Sequence, residues 1–182
     1  MTTGMDGQTS EQAGALDEEA FVRRFGGAYE HSPWVARAAW RRRPFGGFKK
    51  LAGAFEAAVR EASVPERLAL VRAHPELAGH EAQAGELTQE SATEQAAAGL
   101  DRLSHEEAAR LHSLNRAYRE RFGFPLVIAV REQHKASILA QGEARLHNGR
   151  EQELEAAIDA IVEIARRRLR ELVADDDRKE TT

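Results

Sequence analysis

The residues of this chain best equipped for chemistry are its histidines, of which there are seven, and a small set of polar side chains. An imidazole changes charge near neutral pH, so it can move a proton under working conditions or ligate a metal. The positions of His31, His74, His80, His105, His112, His134 and His147 argue against a metal. No pair stands at i, i+4 around a glutamate, and His74 and His80 are split by Pro75 and Gly79, so they share no helical face. His74-Pro75 also has a purely structural reading, as a histidine set against a helix C-terminal dipole with the proline as a stop. Ser91-Ala-Thr-Glu94-Gln95 is ambiguous in the same way. S-x-x-E ahead of Ala96, Ala97 and Leu100 is a capping box first, and a polar binding face second. In Arg166-Arg167-Arg168 successive residues point 100° apart, so at most one faces inward. Arg168 lies nearest the apolar stripe, three residues past Ala165. An inward guanidinium is the side chain of choice for a carboxylate ligand, although snorkelling or an internal ion pair explains it equally well.

Composition removes several classes of chemistry. With no cysteine among 182 residues, disulfides, thiolate metal sites and cysteine nucleophiles are excluded. A formal net charge of −4 argues against a nucleic-acid partner. Apolar runs such as Phe124–Val130 fall far short of the roughly 18 residues of a membrane span. There is no hydrophobic signal core at the N-terminus, and Glu-Thr-Thr182 is not a Ser-Lys-Leu address, so a soluble, cytoplasmic protein is expected. Phosphate and dinucleotide loops are absent too, since Gly46-Gly47 runs into Phe48-Lys49-Lys50.

The elements that must position these residues read as helices. Asp17 can cap a helix bearing Phe21, Val22 and Phe25; Ser32-Pro33 opens one bearing Trp34, Val35, Ala38 and Ala39. Phe48, Leu51, Ala52, Phe55 and Val59 follow the i, i+3, i+4 rule, and Val64-Pro65 starts a helix that Pro75 stops, leaving His74 in its last turn or just outside. Ser104-His-Glu-Glu107 is a capping box, with Leu111, Asn115, Tyr118 and Phe122 on one face and Gly123 as the stop. Pro125 to Val130 has no evident strand partner, so it reads as an extended segment or a helix start. Leu154, Ala157, Ile158, Ile161, Val162, Ala165, Leu169 and Leu172 form a continuous stripe on the last helix. The fold class is therefore all-α, a single-domain bundle of about eight helices over residues 16–173. Residues 1–15 are expected to be a disordered leader, and 174–182 a charged, flexible tail.

Taken together and in order, His74-Pro-Glu-Leu-Ala-Gly79, Ser91-x-x-Glu94-Gln95-x-x-Ala98-Gly99-Leu100, Arg121-Phe-Gly-Phe-Pro-Leu-Val-Ile128, and Arg145-Leu-x-Asn148 leading to Glu163-Ile-Ala-x-x-Arg168-Leu169 resemble the OHCU decarboxylase family. The likeness covers roughly Asp17 to Val173. Members decarboxylate 2-oxo-4-hydroxy-4-carboxy-5-ureidoimidazoline to (S)-allantoin, the last step from urate. The resemblance implies an all-α, homodimeric, cofactor-free enzyme. It makes His74 the catalytic residue with Pro75 beside the substrate, and Ser91, Glu94 and Gln95 substrate contacts. It also implies that the backbone of Leu126, Val127, Ile128, Ala129 and Val130 lines the pocket and that Arg168 meets a substrate carboxylate or polar edge. One departure is Leu126, where the family more usually has phenylalanine; its absence is expected to remove an aromatic wall. Two readings of other classes compete: a helical binding module in which these motifs are only caps and stops, and a metal-dependent hydrolase built on His74, His80 and Glu94.

Overall fold

A computed structural model describes residues 12–179, with side chains to Ala174. Among the described residues eight helices have seven residues or more and there is no strand, as the apolar periodicity requires. In chain order they are α1 (Glu18–Phe25), α2 (Pro33–Trp40), α3 (Phe48–Arg60), α4 (Val64–Arg72), the short α5 (His80–Ala84), α6 (Gln89–Ala97), α7 (His105–Phe122), α8 (Lys135–Arg145) and α9 (Arg150–Lys179), with a 3-10 turn at Gly26–Ala28. Neither α5 nor α8 was legible in the sequence. Two boundaries differ from expectation. Residues 12–15 form a helical turn with Ala13 fully buried, so order begins inside the expected leader, whose residues 1–11 lie outside the described part. At the other end α9 continues to Lys179, beyond its last apolar position; 180–182 lie outside the described residues.

The chain divides into two compact units: the described residues up to Leu70 together with those from Val162, and the run from Val71 to Ile161.

In the first unit, Asp17 caps α1 by accepting from the Ala20 amide at 2.8 Å, with Glu18 and Glu19 in the first turn and Arg23 and Arg24 in the last, each on the side the helix dipole favours. Ser32 stands at the start of α2 but makes no side-chain cap; Pro33 at the first position supplies the start instead. The core is aromatic. Phe21 lies against Phe25, Phe45 and Phe55 with ring centroids 4.8 to 5.8 Å apart, and Tyr29 stacks on Phe55 at 6.0 Å. Trp40 is half-buried, its indole N–H donating to the Leu16 carbonyl at 2.9 Å. The C-terminal part of α9 buries Val162, Ala165, Leu169 and Val173, while Leu172 is only half-buried.

In the second unit, α7 is the organising helix. The Ser104–Glu107 capping box is formed at its start, and Gly123 ends it at φ +76°, the left-handed geometry that glycine adopts without Cβ strain. Leu111, Leu114, Asn115, Tyr118 and Phe122 are its buried face. Gly142 of α8 lets the backbone come close: a Cβ there would lie 2.6 Å from Leu114 Cδ2 and 2.7 Å from Leu126 Cδ2.

Candidate active site

Helix α4 ends at Arg72, so His74 lies just beyond it. Its amide bonds the Val71 carbonyl at 3.2 Å and its ring is buried. Pro75 removes a donor and forbids continuation, and the chain turns tightly through residues 76–79. Ala78 takes φ +46°, a conformation that costs a residue with a Cβ about 1 kcal/mol or more. Gly79 packs so closely that a Cβ would stand 2.6 Å from Glu76 Cβ.

Three side chains hold this turn. The Ala78 amide donates to Gln95 Oε1 at 2.8 Å, and Gln95 Nε2 reaches the Glu76 carbonyl at 3.5 Å. Asn115 Nδ2 donates to the Leu77 carbonyl at 2.9 Å, and Arg119, one turn along α7, donates to Glu76 Oε1 at 2.8 Å. Sequence reasoning expected Gln95 on the substrate; the structure uses one acceptor and one donor of its amide on backbone, leaving one N–H for another partner. Asn115 and Arg119 were not anticipated. Asn115 being polar on the buried face of α7 was the available signal, since buried amides are nearly always bonded.

Helix α6 begins three residues earlier than the Ser91 cap requires. Thr88 is its N-cap, accepting from the Ser91 amide at 3.3 Å, so Ser91 is inside the helix and the capping-box reading of Ser91–Glu94 is corrected. Thr88 competes with Ser91 as a start and wins because the turn from Gln89 is helical. Ser91, Glu94, Gln95 and Ala98 then share one face; Ser91, Gln95 and Ala98 are buried and Glu94 half-buried.

Residues 125–130 are neither strand nor helix, and Leu126, Val127, Ile128 and Val130 are buried. Three of their carbonyls are occupied: Val127 by Arg145 Nη1 at 2.8 Å, Ala129 by Gln133 Nε2 at 3.0 Å, and Val130 by the Gln133 amide at 2.9 Å. Among the described residues, no group accepts from the amides of Leu126 through Val130. Buried backbone donors without partners are rare, so this strip is chemically open toward an acceptor-bearing ligand. The Leu126 side chain sits against Leu114 and Gly142 and is 1% exposed. It belongs to the core, so the expected loss of a pocket wall does not follow from the absent phenylalanine. Arg72 Nε donates to the Gly123 carbonyl at 3.1 Å, tying the end of α4 to the segment that leads into the strip.

Behind the strip lies a buried polar network. Glu153 is fully buried; its Oε2 receives Arg145 Nε at 2.9 Å and the Tyr118 hydroxyl, and its Oε1 receives Asn148 Nδ2 at 2.6 Å. Burial first, then the bond to Glu153, pushes the Tyr118 phenol well above its ordinary pKa.

Arg168 is placed in the first unit. Of the three consecutive arginines it alone is buried, as the 100° argument requires, and its Nη1 donates to the buried Glu30 at 2.7 Å. The ion-pair reading of this residue is thus realised. Among the described residues, no three His, Asp or Glu side chains cluster as a metal site would need. A cleft of about 660 Å³ in the second unit opens on the alanine flank of α6, between Ala92, Ala96, His105 and His112. Gln95 is the one expected residue lining it.

A buried imidazole at a pinned turn, a polar helix face and a row of amides without a protein acceptor all belong to the second unit of this all-α chain. The OHCU decarboxylase family model matches residues 14–170, and the chain belongs to that family. A protein of Haloferax volcanii named 2-oxo-4-hydroxy-4-carboxy-5-ureidoimidazoline decarboxylase is 42% identical over 163 residues, covering 90% of this chain and 95% of its own. A mouse protein of the same name is 38% identical over 159 residues, covering 87% and 89%. Among solved structures, an (S)-allantoin synthase superposes with a TM-score of 0.72 at 29% identity, covering 90% of this chain and 53% of that one. An OHCU decarboxylase crystallised in the presence of (S)-allantoin superposes at 0.67 and 19% identity, a likeness of fold, over 87% of this chain and 99% of that one.

Proposed function

We propose that this protein decarboxylates 2-oxo-4-hydroxy-4-carboxy-5-ureidoimidazoline to (S)-allantoin, with His74 as the proton handler. The observation that carries the reading is the buried His74, held beside a half-buried proline by a turn that Gln95 and Asn115 pin, in the same unit as a strip of amides with no protein acceptor. The substrate's carboxylate leaves as carbon dioxide, and the electron pair of the broken C–C bond moves toward the conjugated ring C=N. The ring nitrogen that receives the electron pair takes up a proton, the 4-hydroxyl gives up its proton as a carbonyl forms, and a proton reaches one face of the ureido-bearing carbon, so one proton is consumed overall. Because the substrate supplies its own electron sink, the reading needs no cofactor. The protein supplies orientation, exclusion of water and an imidazole that can carry a proton. Delivery from one side by His74 makes the product a single enantiomer.

In this reading Pro75 flanks the substrate, while Ser91, Glu94 and the remaining Gln95 N–H hold its ureido and ring edges. The amides of Leu126, Val127, Ile128, Ala129 and Val130 donate to its carbonyl or carboxylate oxygens. The role of Arg168 toward a carboxylate rests on the resemblance of its motif, as do a homodimeric state and a cytoplasmic location. No described helix is long and apolar enough to cross a membrane.

The test generates the substrate in place from urate with urate oxidase and hydroxyisourate hydrolase, adds this protein and follows circular dichroism. Rapid appearance of (S)-allantoin that falls about 10²- to 10⁴-fold in His74→Gln, with the thermal midpoint unchanged, is the expected result. Racemic allantoin at the uncatalysed rate would put the helical binding module in its place.

A further inference from the structure

We propose that Arg145 is a positioning residue that aims the Ile128 amide at the substrate, by holding the other end of the same peptide unit. The inference rests on the decarboxylase reading, and it absorbs the Arg145-Leu-x-Asn148 pattern, to which no role is otherwise attached.

A peptide unit is planar and trans, so the Val127 carbonyl and the Ile128 N–H point in opposite directions within one rigid plane. Arg145 Nη1 holds that carbonyl at 2.8 Å. Whatever fixes the guanidinium therefore fixes the Ile128 N–H, and that N–H has no acceptor among the described residues.

The guanidinium is held at its two other nitrogens as well. Nε donates to Glu153 at 2.9 Å and Nη2 faces the Tyr118 hydroxyl at 3.3 Å. Glu153 cannot drift, being fully buried and bonded to the Tyr118 hydroxyl through one oxygen and to Asn148 through the other. A planar fork with three occupied directions has one orientation, which a lysine ammonium cannot reproduce although it keeps the charge. Gln133 treats the next peptide but one the same way: its Nε2 holds the Ala129 carbonyl at 3.0 Å, which turns the Val130 N–H to the opposite side. Two clamps thus aim two donors, Ile128 and Val130.

The test compares wild type with Arg145→Lys in the coupled assay. The expected result is a KM raised about tenfold, the worth of one well-aimed hydrogen bond to a polar ligand, with the pH profile unmoved because His74 is untouched. A merely structural loss would lower the active fraction, reducing apparent kcat at constant KM. That pattern, or kinetics equal to wild type, overturns the proposal. If Arg145→Lys does not fold, the same question is put to the wild-type protein by amide NMR with (S)-allantoin as the probe. The Ile128 and Val130 amide resonances should move together on titration; if others move while these two stay still, the proposal fails. Absence of turnover by wild type itself would instead signal failure of the decarboxylase reading, so the two failures are told apart.

Discussion

Arg168 with Glu30 in the first unit, and Arg145 with Glu153 in the second, are both guanidinium–carboxylate pairs withdrawn from water, at 2.7 and 2.9 Å. They are put to different ends. The first joins the last helix to a loop residue 138 positions earlier in the chain, side chain to side chain. In the second the carboxylate also serves a tyrosine and an asparagine, and the guanidinium turns its free edge onto a backbone carbonyl. The comparison shows that a buried arginine is not by itself a ligand for a substrate anion. What it does depends on which of its donors the fold leaves for other uses.

The comparison breaks most visibly on removal of either carboxylate. Glu30→Ala takes from Arg168, and Glu153→Ala from Arg145, the carboxylate that pairs with it, and each should cost about 3–5 kcal/mol in urea unfolding. Taking both partners away separates the two cases. Arg168→Met with Glu30→Leu should recover most of the stability, as apolar replacements of buried pairs commonly do. Arg145→Met with Glu153→Leu should recover less, because Tyr118, Asn148 and the Val127 carbonyl all lose their partners.

A milder test titrates the two tyrosines, one in each unit. Burial, with Glu56 nearby, raises the Tyr29 phenol, and burial with the Glu153 bond raises Tyr118. Both pKa values lie higher in the folded than in the unfolded chain, so this contribution to stability is whole below pH 10 and is lost as pH rises beyond it. Absorbance at 295 nm should therefore show no tyrosinate in the native protein at pH 10, and the signal should appear only with unfolding.

The smallest effect belongs to the α7 cap. The Glu107 carboxyl is held below its ordinary value by Lys135 first and by the Ser104 amide second. A lowered pKa stabilises above the unfolded value of 4.5 and the benefit fades as pH falls below it. Glu107→Gln should match wild type in unfolding midpoint near pH 3 and fall slightly short of it at pH 6.

The helices were legible wherever periodicity and a terminal signal agreed, as at Asp17, Ser104 and Gly123. Helix α8 escaped because Lys135–Arg145 is broken by Gly142 and carries few large apolar residues. The capping box at Ser91 was misplaced because Thr88 and Ser91 are equally competent caps, and local chemistry does not rank them. His74 just past a helix end, and a single inward arginine among three, followed from proline sterics and the helical turn. The partner of Arg168 did not, since nothing local links positions 30 and 168. The segment 126–130 was marked by the resemblance of its motif alone, and that its amides lack a protein acceptor had no local signature, because backbone donors are the same at every residue. Only the fold determines which of them go unused.

Gly142 carries one more consequence. The strip settles against α8 at a height set by a missing methyl group, with Leu114 and Leu126 meeting over bare backbone. An alanine at this position would press on both leucines at once, so the spacing between α7, α8 and the 126–130 segment is fixed by a residue with no side chain.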